Sequence, residues 1–205
     1  MTDIVLENDA NGEPASAIRA ALNHRSVVLI GMMGVGKSSI GRRLGVRLAI
    51  PFVDADTEIE KAAGMSISDI FARHGEADFR SGEARVIARL LENGPQVLST
   101  GGGAFMNDGT RAAIKAKSVS IWLAAEYEVL LRRISKRKNE RPMLHTDNPD
   151  ETLRQLLKVR EPTYALADLT VQSREGPHET ILAEIVRELA VYLRVPISPE
   201  EKDGA

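Results

Sequence analysis

One segment limits the possible folds more than any other. Residues 31–38 read Gly-Met-Met-Gly-Val-Gly-Lys-Ser and match the pattern G-x-x-x-x-G-K-[ST] at every specified position. An apolar run at residues 27–30 precedes the segment, and residues 37–48 after it carry apolar side chains four positions apart. In such a strand–loop–helix unit, glycine backbone N–H groups and the helix N-terminus surround phosphate groups. The sequence therefore predicts an α/β fold with a nucleotide bound at this loop.

The last two residues of the motif carry its most specific chemistry. Lys37 is placed to reach the β- and γ-phosphates, and the Ser38 hydroxyl is placed to ligate Mg²⁺. A glycine-rich turn without a ligand is the alternative, and the Lys-Ser pair argues against it. No N/T-K-x-D segment, which is typical of guanine-nucleotide switches, occurs in the sequence. Further contacts to ATP are expected from the loop neighbours Gly34, Val35, Gly36 and Ser39.

The rest of the chain alternates between short apolar runs and helical patterns. Five runs rich in β-branched residues predict buried parallel strands at residues 27–30, 51–53, 96–98, 119–123 and 169–171. Helices are predicted at residues 37–48, 75–93, 127–136, 151–165 and 178–193. Ser66 and Asp69 form a capping-box pattern that opens a further short helix. This alternation predicts a three-layer α/β/α sandwich around a five-stranded parallel sheet.

The composition disfavours several other classes of protein. The 205 residues carry a formal net charge of -2, which gives no basic field for nucleic acid, and no cysteine for disulfides or thiolate metal sites. No apolar run approaches the roughly 20 residues of a membrane span. We therefore expect a cytoplasmic monomer that binds small molecules, with no nucleic-acid or membrane partner.

A single domain is expected, with a short segment on either side. Residues 1–25 are predicted to be a flexible extension whose removal leaves activity intact, although residues 15–22 fit a short helix. Residues 26–194 are predicted to form the nucleotide-binding domain. The tail at 195–205 contains prolines and mixed charges, and it is predicted to be disordered.

Two aspartates after the second predicted strand are candidates for an acceptor site. On an extended segment alternate residues point the same way, so Asp54 and Asp56 would face one site. One carboxylate would then support the Mg²⁺ shell while the other accepts a hydroxyl proton. Capping of a helix at residues 57–63 is the alternative role for such an aspartate. Further candidates are Arg80, next to an aromatic residue, and the triple glycine Gly101, Gly102 and Gly103 after the third strand.

Six motifs occur in an order that resembles the shikimate kinase family. They are Gly-x-x-Gly-x-Gly-Lys-Ser, Asp-x-Asp, Phe-Arg-x-x-Glu, Gly-Gly-Gly, Arg-Pro-x-Leu and Arg-x-x-x-Tyr, the last of which runs from Arg160 to Tyr164. The resemblance covers about residues 26–193, and the five motifs after the phosphate loop make it specific. It implies that ATP phosphorylates the 3-hydroxyl of shikimate, giving shikimate 3-phosphate on the way to chorismate and the aromatic amino acids.

The resemblance also implies roles for individual residues. Asp56 would orient the 3-hydroxyl and act as the base, and Asp54 would hold Mg²⁺ through water. Arg141, on a mobile lid at about residues 138–148, would join Lys37 at the transferred phosphoryl group. The shikimate contacts implied are Asp56, Arg80, Gly101, Gly102, Gly103 and Arg160, and those near the adenine are Arg133 and Arg174. Planar arginines suit the carboxylate of such a substrate.

Several alternatives are compatible with the sequence. The cationic run at residues 132–141 also fits a solvated helix end or a nucleic-acid patch, although it has no interleaved aromatic residues. The chain would suit a related kinase for another polyol acid, such as gluconate, or a nucleotide-binding regulatory protein without turnover. Phe71 and Phe79 fit a pocket wall and an ordinary core equally.

Overall fold

The five predicted strands form one parallel sheet. The computed structural model describes residues 12–135 and 148–195. Neighbouring strands are parallel, in the order β2-β3-β1-β4-β5. The predicted α/β architecture with a five-stranded parallel sheet is thus confirmed. The strands are β1 Ser26–Ile30, β2 Phe52–Asp54, β3 Val97–Ser99, β4 Ser118–Ala124 and β5 Leu169–Gln172.

Helices follow the strands and cover the sheet. The α2 helix coincides with the predicted segment 37–48, and α8 with 178–193. The described helices are α1 Gly12–Leu22, α2 Lys37–Leu48, α3 Ala55–Ala63, α4 Ile67–Leu90, α5 Asp108–Lys117, α6 Tyr127–Ser135, α7 Pro149–Tyr164 and α8 His178–Leu193.

Burial differs between the centre and the edges of the sheet. The central strand β1 is buried along its whole length, with Val27 opposite Val97 on one side and Val119 on the other. The edge strand β2 is half-buried, and β5 alternates between exposed and buried positions. A strand with helices on both faces appears in sequence as a continuous apolar run, which explains why β1 was predicted so readily.

Two helical regions differ from the prediction. The helix α5 was not predicted, because Ile114 is its one large buried apolar residue and the pattern is weak. The two helices predicted from Ser66 and over residues 75–93 form the single element α4, which is kinked at Gly75 with φ 80° and ψ 175°. The predicted cap at Ser66 is confirmed, since its hydroxyl oxygen accepts the Asp69 N–H at 3.1 Å.

The predicted boundary at residue 26 is wrong for the residues just before it. The helix α1 begins at Gly12, and its contacts lie mainly with α8 and α2. Ile18 and Leu22 have no exposed surface and belong to the main hydrophobic core. The folded domain therefore includes α1, and the expected short helix at residues 15–22 is confirmed. The expectation of a flexible segment applies at most to residues 1–11, which lie outside the described residues.

The topology brings the candidate residues to one edge of the sheet. The phosphate loop follows β1, Asp54 ends β2, and the triple glycine follows β3. These strands are adjacent and parallel, so their carboxyl ends open on the same side. Most of the predicted lid, with Arg141, and the tail from residue 196 lie outside the described residues. None of the helices in the described ranges 12–135 and 148–195 has the length and apolar character of a membrane span.

Candidate active site

The phosphate loop has a shape that depends on glycine. Gly31, Gly34 and Gly36 have φ angles of 131°, 83° and 103°, which lie in a region that residues with a Cβ rarely adopt. The Lys37 ammonium donates hydrogen bonds across the loop to the carbonyl oxygens of Gly31 at 2.8 Å and Met32 at 3.1 Å. The helix α2 begins at Lys37, so the positive end of its dipole lies at the loop.

A serine of the phosphate loop is connected to the acidic segment after β2. The Ser38 hydroxyl donates to Asp54 Oδ2 at 2.7 Å, and Asp54 Oδ1 accepts the Asp56 N–H at 3.1 Å. The prediction that residues 54–56 are extended is wrong, because α3 begins at Ala55 and Asp56 lies in its first turn. Asp54 caps this helix with one oxygen and faces Ser38 with the other. Helix capping and a position at the active site, the two alternatives for an aspartate in this segment, are therefore compatible.

Asp56 lies in an environment that favours its protonated form. Burial raises the pKa of Asp56 to about 6, the charge of Asp54 raises it as well, and Lys37 opposes both effects. A carboxyl group with a pKa near 6 is ionised at neutral pH and remains a better proton acceptor than an exposed aspartate. The site therefore offers a base close to the phosphate loop.

The first and third glycines after β3 leave room for charged side chains. A Cβ on Gly101 would lie 2.8 Å from Glu83 Oε1 and 3.1 Å from Asp56 Oδ1. A Cβ on Gly103 would lie 2.6 Å from both terminal nitrogens of Arg80. The separations from Glu83 and Arg80 are closer than real Cβ atoms approach, and the one from Asp56 is tighter than most Cβ contacts, so a side chain at either glycine would require these charged groups to shift.

The middle glycine lies between the phosphate loop and α7. A Cβ on Gly102 would lie 3.4 Å from Arg160 Nη1, 3.4 Å from the backbone nitrogen of Met33 and 3.5 Å from the Gly31 carbonyl oxygen. Arg160 itself is buried. The structure thus brings the predicted residues Arg160 and Gly102 close together, and both adjoin the phosphate loop.

Glu83 is a buried acid to which the sequence analysis gave no role. Its Oε2 accepts a hydrogen bond from Arg80 Nη1 at 2.8 Å, while Glu76 Oε1 accepts from Arg80 Nη2 at 3.1 Å. Glu83 Oε1 is buried and has no hydrogen-bond partner among the described residues. Burial raises the pKa of Glu83, and Arg80 and Arg160 oppose this effect. The available signal was the spacing of three between Arg80 and Glu83, which places them on one helix face.

The predicted adenine contact Arg133 joins three separate segments. Its guanidinium donates to the Val35 carbonyl oxygen, to Ser173 Oγ and to the Arg174 carbonyl oxygen, each at 2.9 Å. The Ser173 hydroxyl in turn donates to the Val35 carbonyl oxygen at 2.8 Å. Arg133 therefore holds α6 and the loop after β5 against the phosphate loop. Its stacking on adenine stays a prediction, as does the contact from Arg174.

His178 is a second residue that the sequence analysis did not place at the site. Its Nε2 lies 3.2 Å from Ser39 Oγ. Arg43 donates from one nitrogen to Ser39 Oγ and to the Ser39 carbonyl oxygen, both at 3.0 Å. The residue His178 begins α8, far from Ser39 in sequence, and no local pattern indicated the contact.

Most of these groups line one open cavity. Its volume is about 1010 Å³, and it extends from the phosphate loop to the pocket of Asp56, Arg80 and Arg160. Phe71 and Phe79 line it as well, with ring centroids 4.6 Å apart. Phe79 also belongs to a small hydrophobic cluster, so the pocket-wall and core interpretations both apply to it.

A phosphate loop and an acid–arginine pocket at the same sheet edge define a P-loop phosphotransferase with a small anionic acceptor. The model of the shikimate kinase family matches residues 33–190. The chain belongs to the shikimate kinase family, and it is an enzyme of the kinase class. The family suggested by the six motifs is thereby confirmed.

Curated relatives and solved structures agree with this assignment. The shikimate kinase of Bradyrhizobium diazoefficiens is 57% identical over 193 residues, covering 94% of this chain and 92% of the relative. That of Rhodopseudomonas palustris is 54% identical over 194 residues, covering 94% and 95%. The structure of shikimate kinase from Acinetobacter baumannii in complex with shikimate is 34% identical, with a TM-score of 0.79, and covers 88% of this chain and 99% of that one. A gluconokinase from Sinorhizobium meliloti, 22% identical with a TM-score of 0.52, shares the fold alone.

Proposed function

We propose that this enzyme transfers the γ-phosphoryl group of ATP to the 3-hydroxyl of shikimate, giving ADP and shikimate 3-phosphate for chorismate and aromatic amino acid biosynthesis. One observation carries the proposal. Asp56, Arg80 and Arg160 line the same cavity as the phosphate loop, in a chain that is 57% identical to a shikimate kinase. This set suits an acceptor that has both a carboxylate and hydroxyl groups.

The phosphate loop would bind the donor. The backbone N–H groups of Gly34, Val35 and Gly36 and the first turn of α2 would surround the β-phosphate. Lys37 would leave the loop carbonyls that it contacts now and move to the β- and γ-phosphates. Because the backbone donors are held by the fold before ATP arrives, they require little reorganisation during the transfer.

Two arginines would bind the acceptor carboxylate. Glu83 and Glu76 hold the Arg80 guanidinium in one orientation against Gly103. Arg160 approaches the same pocket from α7. Planar guanidinium groups fixed in this way form paired hydrogen bonds with a carboxylate. The substrate would therefore be oriented by its charged end, with its ring hydroxyls towards the acidic side of the pocket.

Asp56 would orient the 3-hydroxyl and receive its proton. As the bond between the substrate oxygen and the γ-phosphorus forms, the bond from that phosphorus to the bridging oxygen of ADP breaks. The hydroxyl proton passes to the Asp56 carboxylate, whose pKa of about 6 suits this transfer. Positioning is expected to contribute at least as much as proton removal, because phosphoryl transfer depends mainly on geometry and charge.

The oxygen groups near the loop fit Mg²⁺. Ser38 Oγ lies 2.7 Å from Asp54 Oδ2 and 3.5 Å from Ser99 Oγ. Among the described residues no group of three or more histidine, cysteine or acidic side chains surrounds a possible metal position. Mg²⁺ typically binds one or two protein oxygens and completes its shell with phosphate and water. Ser38 would bind it directly and Asp54 through water, and the ion would neutralise charge on the phosphates.

The remaining predictions complete the proposal. Arg141, on a lid at about residues 138–148, would contact the transferred phosphoryl group and exclude water when the lid closes. The enzyme would act as a monomer in the cytoplasm on ATP and shikimate, without nucleic acid.

The proposal is tested by substituting Arg160 and identifying the product. Arg160→Ala should raise the shikimate Kd, measured by calorimetry, by about 10- to 100-fold, because a charge-assisted contact is lost. The Kd of ATP should stay within about twofold. Arg154→Ala on the same helix, where the side chain is exposed, should leave both values unchanged. Unaltered shikimate binding in Arg160→Ala would contradict the carboxylate assignment. Absence of a 3-phosphate ester in ³¹P NMR of the unmodified enzyme's product would contradict the function.

A further inference from the structure

Two buried residues without a role in the proposed reaction connect the phosphate loop with the acceptor pocket. Met32, the second residue of the loop, is 2% exposed, and Tyr164, at the end of α7, is 1% exposed. The Met32 sulfur lies 3.8 Å from Arg160 Nη1 and 4.0 Å from the Tyr164 hydroxyl oxygen. A side chain of the phosphate loop therefore contacts the arginine that is proposed to bind the acceptor.

The Tyr164 hydroxyl also holds the triple-glycine segment. It donates a hydrogen bond to the Gly102 carbonyl oxygen, and its ring lies 6.0 Å from that of Trp122 between centroids. Tyr164 and Arg160 are four residues apart in α7, so they lie on the same face of the helix. A buried tyrosine hydroxyl needs a partner, and Gly102 provides it. Tyr164 thus fixes Gly102 relative to Arg160.

A continuous set of contacts leads from the nucleotide site to Arg160. Lys37 donates to the Met32 carbonyl oxygen at 3.1 Å, and the Met32 side chain contacts Arg160. When Lys37 moves to the phosphates of a nucleotide, the Met32 backbone loses this hydrogen bond. The surrounding interior is close-packed, so a shift of Met32 is transmitted to the groups that it touches. The polarisable thioether suits contact with a planar cation.

We propose that Tyr164 is a positioning residue that fixes Gly102 relative to Arg160 for the acceptor, and that Met32 is a positioning residue that makes acceptor affinity depend on the nucleotide. The inference rests on the proposed function, which places Arg160 and Gly102 at the acceptor. Neither positioning residue needs to touch the substrate. Tyr164 sets the geometry of the pocket with or without a bound nucleotide. The contact of Met32 with Arg160, in contrast, changes when the phosphate loop moves.

Calorimetric titration of shikimate, with and without saturating ADP, separates these two roles. Tyr164→Phe removes one hydroxyl and should weaken shikimate binding in both conditions by about 5- to 20-fold. Met32→Leu keeps the volume but removes the sulfur contact. It should leave the Kd without ADP within about twofold, and it should abolish most of the change that ADP causes in the unmodified enzyme. ADP binding alone should be unchanged in both variants. Tyr192→Phe, which removes a surface hydroxyl that donates to Asp168, is the matched control.

The outcomes distinguish this inference from the proposed function. If the unmodified enzyme does not bind shikimate, both are wrong. If it binds shikimate and the effect of ADP is zero, or is the same in Met32→Leu, the role of Met32 is overturned. Unchanged shikimate affinity in a folded Tyr164→Phe variant overturns the role of Tyr164. Because binding free energies are linked, shikimate must change the ADP affinity by the same factor in each protein, which provides an internal check.

Discussion

The ionisation of Asp56 controls the expected pH dependence of the reaction. Its pKa is raised to about 6, chiefly by burial and then by the charge of Asp54. The carboxylate is needed to accept the hydroxyl proton, so kcat/KM for shikimate should rise between about pH 5 and pH 7 with a midpoint near 6. Asp56→Asn should lose about 10²- to 10⁴-fold in kcat. Its kcat/KM should also lack the acid limb, which is the decrease towards low pH. Glu58→Gln, also in the first turn of α3, should keep the decrease towards low pH. A limb that persists in Asp56→Asn would assign the pKa to another group.

The same raised pKa has an effect on stability with a definite sign. Asp56 prefers the protonated form in the folded state, so its favourable contribution is present below its ordinary pKa of 3.8 and is lost as pH rises through about 6. Asp56→Asn should therefore be more stable than the unmodified enzyme at pH 7. We expect its free energy of unfolding, measured by denaturant titration, to be higher by at most about 3 kcal/mol. The difference should shrink towards pH 4. A less stable variant at pH 7 would contradict the burial of this charge.

The tight fit between Gly103 and Arg80 leads to another prediction. An alanine Cβ at position 103 would overlap the guanidinium, and the flexible arginine end must move while the backbone stays in place. Gly103→Ala should raise the shikimate KM by about tenfold or more, with the ATP KM within about twofold. Gly82→Ala, where a Cβ meets nothing within 4 Å, should leave both constants unchanged. Equal KM values in Gly103→Ala and the unmodified enzyme would show that Arg80 does not bind the acceptor.

Residue identities were predictable where a motif carries the chemistry, and their geometry was less so. The Gly-Lys-Ser signature was enough to predict a phosphate site at Lys37 and Ser38. The contact between Asp54 and Ser38 joins residues 16 positions apart, and Tyr164 reaches Gly102 across 62 positions. No local pattern contains such distances. The helical position of Asp56 was missed because Asp54 serves both as a strand end and as a helix cap.

At the scale of single elements, α1 shows where the sequence was misleading. Ile18 and Leu22 are its only large apolar residues and the others are small or polar, so the segment resembled a flexible extension, yet these two side chains fill space against the core. Ile18→Ala and Leu22→Ala should each lower the free energy of unfolding by about 2–5 kcal/mol in denaturant titration. Arg19→Ala on the exposed face should cost less than about 0.5 kcal/mol. If either core variant were as stable as the unmodified enzyme, α1 would not belong to the folded domain.

Element boundaries were predicted best where burial is complete. β1 and α2 flank the phosphate loop, and both were recognised within one residue because their apolar patterns are strong. The helix α5 was missed because it buries few residues, and its Asn107 cap was not recognised. A different error occurs at Gly75, where two helices predicted separately form one kinked element. Elements at the periphery are defined by packing against the rest of the chain, which local periodicity does not contain.

At the scale of the whole molecule, the order of the strands positions the site. The three adjacent strands β2, β3 and β1 deliver an acid, three glycines and the phosphate loop to one sheet edge. The fold class followed from strand–helix alternation, but the strand order did not, because periodicity carries no information on which strands are neighbours. The arginines from α4 and α7 complete the pocket from two different helices. The site is therefore a product of tertiary structure built around one local motif.

The most direct test of the account is ADP release by the full chain with Mg-ATP, compared for shikimate, gluconate and no acceptor. The account predicts release that depends on shikimate, with gluconate close to the background, because the two arginines and Asp56 match an acid with ring hydroxyls. Lys37→Met should abolish the shikimate-dependent signal. Release that depends on gluconate, or none with either acceptor from a folded protein that binds ATP, would contradict the account.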